Sequence, residues 1–457
     1  MQTAAVPAAA IEPLFAPERR AACVGAVILV SLLAFEAMAV AAAMPAITAA
    51  LGGDALYALA FGGMLATSIV GMVVAGHLCD QTGAGRAGAV GLAAFTAGLL
   101  LAGAANHMLV VVAGRVVQGL GGGMLGVALY VGAGQLVPKA LHPRLFALFA
   151  AAWVLPGLLG PPVAALLVAA LGWRSVFLVV ACAAPLAALL LAPALASLPR
   201  SRRAAGAATA AAPRTIAWAM VAAAGALLLN AASGLPSLPV ALAATLAGAA
   251  LALAAARSLL PRGALVAASG LPAVIALRGL LAAGFATAEA FIPLYLTRMQ
   301  GWSLAGAGFA LSTGALLWSA GSAVQSRLQG EASRRRGLLA GFALVAVGIA
   351  IAALPALLGV PGVMLVAGWA LAGFGIGLAF PMLSVLTLKL SPTAEQGRNA
   401  SALQLSDALC SSVALAAAGL VFAQGGAPGR AGFAGVMLIA AALPAMGALL
   451  TRRTSAR

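Results

Sequence analysis

The sequence is poor in acidic residues. Aspartate and glutamate together supply only nine of its 457 residues, and charged residues of both signs make up 7% of the chain. Because water-soluble domains carry roughly 25% charged residues, this composition excludes an ordinary soluble globular protein. The chain is 64% hydrophobic, and its apolar residues recur in runs of about 20, the length of a helix that crosses a bilayer. We therefore predict an all-α polytopic membrane protein.

Cysteine and histidine are equally scarce. The four cysteines and three histidines are scattered, without the spacing of a metal site or a disulfide framework. We expect no metal and no cofactor. A membrane-embedded enzyme would need a clustered nucleophile, base or metal, and a receptor would need a long soluble loop. Both classes remain as disfavoured alternatives.

Basic residues give the chain a formal net charge of +16. No basic run exceeds three residues and no aromatic residues interleave with them, so a nucleic-acid partner is not expected. Sorted by loop, 20 of the 25 basic residues lie on one side, three (Arg174, Arg298 and Arg430) on the other, and two (Arg115 and Arg278) within spans. The positive-inside rule makes the rich side cytoplasmic.

Lysine is nearly replaced by arginine, since it occurs only at Lys139 and Lys389. Together with abundant alanine and glycine, this bias is typical of a GC-rich bacterial genome. We therefore expect a multi-pass protein of the bacterial inner membrane, surrounded by lipid, with both termini cytoplasmic. We also expect a monomer.

Polar residues, glycines and prolines divide the chain into fourteen apolar spans. The charges of the loops require only that the number of spans is even, which by itself does not distinguish twelve from fourteen. The organisation suggests six spans, an inserted pair and six more spans, and paired halves of this kind are typical of secondary transporters. We predict a cytoplasmic N-terminal segment (1–20), a first six-helix bundle (21–196), a cytoplasmic linker (197–214), an inserted helix pair (215–257), a second six-helix bundle (258–451) and a cytoplasmic tail (452–457).

Three of the acids lie within spans: Glu36, Glu289 and Asp407. An ionisable side chain at membrane depth costs several kcal/mol and is a functional hypothesis by default. We predict that all three are proton-coupling groups, with Glu36 foremost. The alternative for each is structural: a static ion pair for Glu36, and a hydrogen bond to a neighbour for the other two.

Two arginines lie within spans and are the predicted charge partners. Arg115 in the fourth span is the expected partner of Glu36. Arg278 and Glu289 are eleven residues apart in the ninth span, on nearly the same face and about 16 Å apart along the axis. They are expected to line one side of a cavity without touching.

The loop after the second span contains an acid, a turn glycine and a base, which can tie two helix ends together and release them. Its residues Gly76, Asp80, Gly83 and Arg86 resemble the signature loop of the major facilitator superfamily. The resemblance implies a gating loop at the cytoplasmic face.

Two more segments resemble motifs of this superfamily. In the fourth span, Arg115, Gln118 and Gly119 match its Arg-x-x-Gln-Gly pattern, and in the fifth span Gly157, Gly160 and Pro161 are similar to the Gly-Pro signature of antiporter-type exporters. Fourteen spans further resemble the drug:proton antiporter branch. The resemblance implies two six-helix bundles plus two inserted helices, and proton-coupled export of drugs or other amphipathic small molecules by alternating access.

Uptake or exchange of a metabolite, or movement of a lipid, through the same fold remains the alternative function. Three tryptophans well inside their spans, Trp153, Trp318 and Trp369, are candidates for lining a substrate cavity. Lipid-facing or packing roles are the alternative for each of them.

Overall fold

The computed structural model describes residues 14–138, 141–197, 208–232, 234–235, 237–328, 330–392, 395–424 and 429–454. Within these ranges, fourteen helices are long and apolar enough to cross a membrane, which confirms the predicted all-α membrane fold and its fourteen spans. The ends of the chain, the central part of the predicted linker (198–207) and five of the sorted basic residues lie outside the described residues: Lys139, Arg200, Arg202, Arg203 and Arg457.

Helices α1 to α14 follow one another through short connections. Their bounds are α1 Pro17–Leu51, α2 Tyr57–Thr82, α3 Ala84–Gly103, α4 Met108–Leu136, α5 His142–Leu171, α6 Arg174–Ser197, α7 Ala208–Ala232, α8 Leu238–Leu259, α9 Leu271–Met299, α10 Leu304–Ser326, α11 Glu331–Leu358, α12 Val363–Leu390, α13 Gln396–Gln424 and α14 Arg430–Leu450.

The helices extend beyond the predicted apolar segments at several ends. Helix α1 begins at Pro17, where a proline is favourable because the first helical N–H has no partner in any case. Helix α7 begins at Ala208, so residues 208–214 are helical rather than part of the predicted linker. The alanine-rich start of α7 accounts for the difference, because alanine has the highest helix propensity.

Two six-helix bundles and an inserted pair make up the fold. Helices α1 to α6 pack together as the first bundle and α9 to α14 as the second, while α7 and α8 pack on each other. The bundles meet along a seam where α2 contacts α13, α5 contacts α10, and α1 contacts α9. Consecutive spans alternate in direction, so the first residue of α1 and the last residue of α14 lie on the same face of the protein. We call it the terminal face, and the other the opposite face.

Glycines allow the closest helix pairs in both bundles. A Cβ on Gly91 of α3 would lie 2.7 Å from the Leu125 nitrogen of α4, and one on Gly341 of α11 would lie 2.8 Å from the Gly375 carbonyl oxygen of α12. Small residues let membrane helices approach this closely and gain van der Waals contact. The two pairs, α3 with α4 and α11 with α12, occupy equivalent positions in the two bundles.

Candidate functional site

Glu36 and Arg115 form an ion pair inside the first bundle. Glu36 on α1 is fully buried, and Arg115 on α4 donates from Nη1 to its Oε1. The same Nη1 donates to Gln118 Oε1 at 3.1 Å, and Arg115 Nε donates to the Ala60 carbonyl of α2 at 3.3 Å. The guanidinium therefore holds α1, α2 and α4 together at membrane depth.

The pair is incompletely satisfied. Among the described residues, Glu36 Oε2 and Gln118 Nε2 are buried and have no hydrogen-bond partner. A buried ion pair gains its stability from mutual neutralisation, and losing one charge leaves the other uncompensated. The contact between α1 and α4 at this depth therefore depends on both charges. In this conformation the carboxylate has no exposure to solvent.

Gly119, next to this pair, brings α4 against α2. A Cβ there would lie 2.8 Å from the Met64 carbonyl carbon, so a larger residue would push the helices apart. Thr67 of α2 adds a hydrogen bond of 2.7 Å to the Val116 carbonyl of α4. The three residues of the fourth-span pattern thus share one location, where they fix α4 and its arginine.

Arg278 forms a second ion pair, in the other bundle. Its Nε lies 2.9 Å from both carboxylate oxygens of Asp407, which joins α9 to α13. Its Nη1 donates to Ser384 Oγ at 2.9 Å and to the Phe380 carbonyl at 3.2 Å on α12. The guanidinium carbon also lies 3.2 Å from the centroid of the Phe380 ring. Sequence reasoning did not predict this pair, because Asp407 is on a distant helix.

Glu289 lies on α9 apart from both pairs. Its side chain is half-buried, and it makes no hydrogen bond or ion pair with any described residue. It does not contact Arg278, which agrees with the spacing along the helix. Glu289 therefore differs from Glu36 in having no described partner and in keeping part of its surface exposed.

The three tryptophans are not brought together. Trp369 is 1% exposed, donates to the Leu311 carbonyl at 3.1 Å and stacks on Phe285 at 4.3 Å. Trp318 is half-buried and meets the same Phe285 edge-on at 5.4 Å. Trp153 belongs to the first bundle and is 45% exposed. Trp369 is therefore a packing residue of the second bundle in this conformation, and the other two retain exposed surface.

The Gly-Pro segment of α5 lies on the seam. A Cβ on Gly157 would lie 3.0 Å from Ala315 Cβ of α10, and one on Gly160 would lie 3.3 Å from Met38 Cβ of α1. A Cβ on Gly308 of α10 would likewise lie 2.9 Å from the Pro161 carbonyl oxygen. The segment of the antiporter-type resemblance is therefore the surface through which α5 meets both α1 and the second bundle.

A proline next to this segment creates a polar link across the seam. Pro162 has no N–H, so the Leu158 carbonyl four residues earlier loses its helical partner. Ser312 of α10 donates to that carbonyl at 2.7 Å. Sequence reasoning did not identify Ser312.

The predicted gating loop lies free at the terminal face. Gly83 has a φ of 92° and makes the turn between α2 and α3. Asp80 and Arg86 are exposed, and neither makes an ion pair or hydrogen bond with a described residue. Gly76 is on the last turns of α2, and a Cβ at this position would point into open space. The loop is disengaged in this conformation.

An ion pair closes the seam at the opposite face. Arg298, at the end of α9, donates to the Asp54 carboxylate at 2.5 and 2.8 Å and to Thr48 Oγ1 at 3.3 Å. Tyr57 of α2 donates to the Ala290 carbonyl of α9 at 2.6 Å. Sequence reasoning counted Arg298 only as a loop charge and did not single out Asp54. Both lie beside span ends, where charges are ordinary and carry little sequence signal.

No cluster of metal-ligating side chains is found in the described part of the chain.

The chain matches one known family over most of its length. The family model of the Major Facilitator Superfamily matches residues 26–414. A protein of Mycobacterium tuberculosis (strain ATCC 25618 / H37Rv) named "Probable multidrug-efflux transporter" is 29% identical over 402 residues, which cover 84% of each chain. The multidrug transporter protein MdtP of Bacillus subtilis (strain 168) is 30% identical over 153 residues, 34% of this chain and 28% of that protein.

Solved structures share the fold at low sequence identity. A POT family transporter in complex with a thioalcohol-conjugated peptide has a TM-score of 0.70 and 15% identity, with 95% of both chains covered. The xylose transporter XylE from E. coli, in a partially occluded inward open conformation, has a TM-score of 0.62 and 13% identity over 96% of this chain and 99% of that chain.

Proposed function

The chain is a membrane transporter of the major facilitator superfamily, and from this premise we propose that it exports drugs or other amphipathic small molecules in exchange for protons. The observation that carries the proposal is the buried Glu36–Arg115 pair, which joins three helices of one bundle at membrane depth. The names of the relatives, which concern multidrug efflux, support the substrate class and the direction.

Alternating access is the mechanism that we propose for transport. Hydrogen bonds across the seam at Arg298, Tyr57 and Ser312 lie on the side of the opposite face. At the terminal face the Asp80 loop has no described partner and is ready to act as a latch. These contacts support a conformation that is closed at the opposite face, which in an alternating-access cycle is the state that opens to the terminal face.

The terminal face is cytoplasmic in this proposal. The positive-inside rule supports that orientation, because the terminal face carries most of the basic residues. The conformation would then be inward-facing, in the inner membrane of a bacterium, with both termini cytoplasmic. Since one chain holds both bundles, a monomer in contact with lipid suffices for the cycle.

Glu36 is the main proton-coupling group that we propose. It is sealed from solvent while the opposite face is closed, so a proton reaches it only in a different conformation. Protonation breaks the pair with Arg115, and an equilibrium between two conformations shifts only when a ligand such as a proton binds one of them better. Glu289, half-buried and unpartnered, is the second titratable site. Asp407, clamped by Arg278, is the third.

Substrate would occupy the space between the bundles where α5 and α10 separate. Trp153 lies one helical turn toward the terminal face from Gly157, and Trp318 lies three residues toward it from Ala315. The two tryptophans thus lie on opposing bundles, each toward the terminal face from the Gly157–Ala315 contact. Trp369 and Trp318 both pack against the Phe285 ring, so Trp369 supports Trp318 through that ring.

The test is Glu36→Gln in proteoliposomes with an imposed proton gradient, assayed for efflux of a fluorescent amphipathic dye across a pH series. We expect wild-type efflux to depend on the gradient and to stop with an uncoupler. The variant should lose gradient-driven efflux but keep exchange driven by dye alone. Glu331→Gln is the matched control, since Glu331 is exposed at the terminal face.

Wild-type efflux that ignores the uncoupler would contradict proton exchange. Retained pH-dependent transport in Glu36→Gln would remove Glu36 from the mechanism. A protein that moves no dye but takes up a metabolite or a lipid would overturn the export function while leaving the family unchanged.

A further inference from the structure

The inserted pair, α7 and α8, lies across the seam between the bundles. Helix α7 packs against α2 of the first bundle and α13 of the second. An apolar cluster continues through all four helices, with Ile69 from α2, Ala222 from α7, Ala255 from α8 and Leu409 from α13. The pair is therefore in contact with both of the bodies that must move apart.

A polar node ties these units together. Asn230 of α7 is 1% exposed, and its Nδ2 donates within α7 to the Ala226 carbonyl at 2.8 Å and across to α13, to the Ser412 carbonyl at 3.1 Å and Ser412 Oγ at 3.3 Å. Ser412 Oγ donates in turn to the Gly62 carbonyl of α2 at 2.8 Å. One amide and one hydroxyl thus connect the inserted pair, the second bundle and the first bundle.

The node requires a glycine at position 62. A Cβ on Gly62 would lie 2.7 Å from Asn230 Nδ2, which is an overlap that only movement of the amide could relieve. The absence of a side chain there lets α7 come close enough for the hydrogen bonds to form. The node lies toward the opposite face, because Gly62 is on the second turn of α2, which begins at that face.

We propose that Asn230 is a positioning residue for the transport cycle: it braces α2 against α13 and holds the opposite face closed. This inference depends on the alternating access described under the proposed function. Opening the opposite face separates α2 from α13, and the Ser412 to Gly62 bond must then break. Asn230 favours the closed state because its amide donates to both the carbonyl and the hydroxyl of Ser412. These hydrogen bonds orient the Ser412 hydroxyl toward the Gly62 carbonyl.

The experiment measures the population of the open state by double electron–electron resonance. Spin labels at Ala55→Cys, before α2, and Ala423→Cys, near the end of α13, report the separation of the bundles at the opposite face. The four native cysteines, all free, are replaced by alanine. Measurements use the full-length protein in nanodiscs without substrate or a proton gradient, so the outcome does not depend on substrate class or coupling.

Asn230→Leu should raise the fraction of the long-distance population about three-fold or more, because an interhelical hydrogen bond in a membrane protein contributes on average about that factor. Ser412→Ala should have the same effect from the other side of the node. The double variant should add little, because both changes break one link. Asn230→Gln, which keeps the amide donor, should restore part of the wild-type distribution.

Thr245→Val is the matched control, because Thr245 on α8 donates only within its own helix. Asp54→Asn is the positive control, because it breaks the ion pair that closes the same face. If Asp54→Asn shifts the distances while Asn230→Leu and Ser412→Ala do not, the proposed positioning role of Asn230 is wrong. An equal shift with Thr245→Val would also overturn it. A single distance in every variant, Asp54→Asn included, would contradict alternating access itself.

Discussion

Arg278 binds both carboxylate oxygens of Asp407 from one nitrogen, at 2.9 Å each, and thereby joins α9 to α13 inside the second bundle. The relationship parallels that of Arg115 and Glu36 in the first bundle, where an arginine on one helix binds an acid on another. Each bundle thus contains one interhelical arginine–carboxylate pair, and the two pairs differ in their surroundings. The first is fully buried, whereas 18% of the Asp407 side chain is exposed.

The first prediction concerns the stability of the second pair. Asp407→Ala leaves the buried Arg278 without a counter-charge, so we expect the free energy of unfolding to fall by about 3 kcal/mol. Thermal unfolding in detergent measures the change. The double variant Arg278→Met/Asp407→Leu should recover most of it, because neither charge is then stranded. A double variant as unstable as the single one would contradict this account.

The second prediction concerns the ion pair at the opposite face. Asp54 and Arg298 are partly exposed, so the pair contributes about 1 kcal/mol, equivalent to about a five-fold change in the closed-to-open ratio. Arg298→Gln should raise the open-to-closed ratio, measured from the distance between spin labels at Ala55→Cys and Ala423→Cys, by a comparable factor. The exchanged pair Asp54→Arg/Arg298→Asp should restore the wild-type distance distribution. A long-distance population that stays high in the exchanged variant would show that the charges do not act as a pair.

The third prediction separates Glu289 from the two ion pairs. Glu289→Gln removes a charge that has no described partner, so thermal stability should stay the same or rise slightly. Gradient-driven efflux should nevertheless fall by about ten-fold or more. The same preparation supplies both measurements. A loss of stability as large as that of Asp407→Ala would instead assign Glu289 a structural contact.

The fourth prediction separates two tryptophans by their burial. Trp369→Ala creates a cavity beside Phe285 and removes the hydrogen bond to the Leu311 carbonyl, so we expect a loss of about 3 kcal/mol in unfolding free energy. Trp153→Ala should change stability by less than about 1 kcal/mol, because the ring is 45% exposed. It should raise the KM for dye efflux with a smaller effect on kcat. An unchanged KM would remove Trp153 from the substrate path.

The sequence was most informative about features that depend only on residues close together in the chain. A run of about 20 apolar residues has few stable structures in a bilayer besides a helix, so the fourteen spans could be predicted one by one. The cost of a charge in lipid identified Glu36, Arg115, Arg278, Glu289 and Asp407 without knowledge of their neighbours. Helix ends were less accurate, as at α7, because the charged and small residues that marked the predicted linker do not prevent a helix from beginning within its alanine-rich end.

Contacts between side chains on different helices were harder to predict from the sequence. The sequence places Arg278 and Glu289 on one face of α9, yet Arg278 binds Asp407, which is 129 residues away along the chain. Ser312 and Ser412 gave no signal, because a serine within a span is an ordinary residue until its helix is placed beside a particular carbonyl. Hydrogen bonds and ion pairs have short range, so they depend on which helices are neighbours and on their rotation.

The amino-acid sequence alone therefore determined that this chain is a fourteen-span membrane protein with a few costly charges at membrane depth, because hydropathy and helical periodicity are local properties. Only the tertiary structure decided that Arg278 binds Asp407, that Asp54 and Arg298 join the two bundles at the opposite face, and that Asn230 connects the inserted pair to both bundles. Those relationships arise from helix packing between residues far apart in the chain, where differences of a few ångströms decide whether a contact exists.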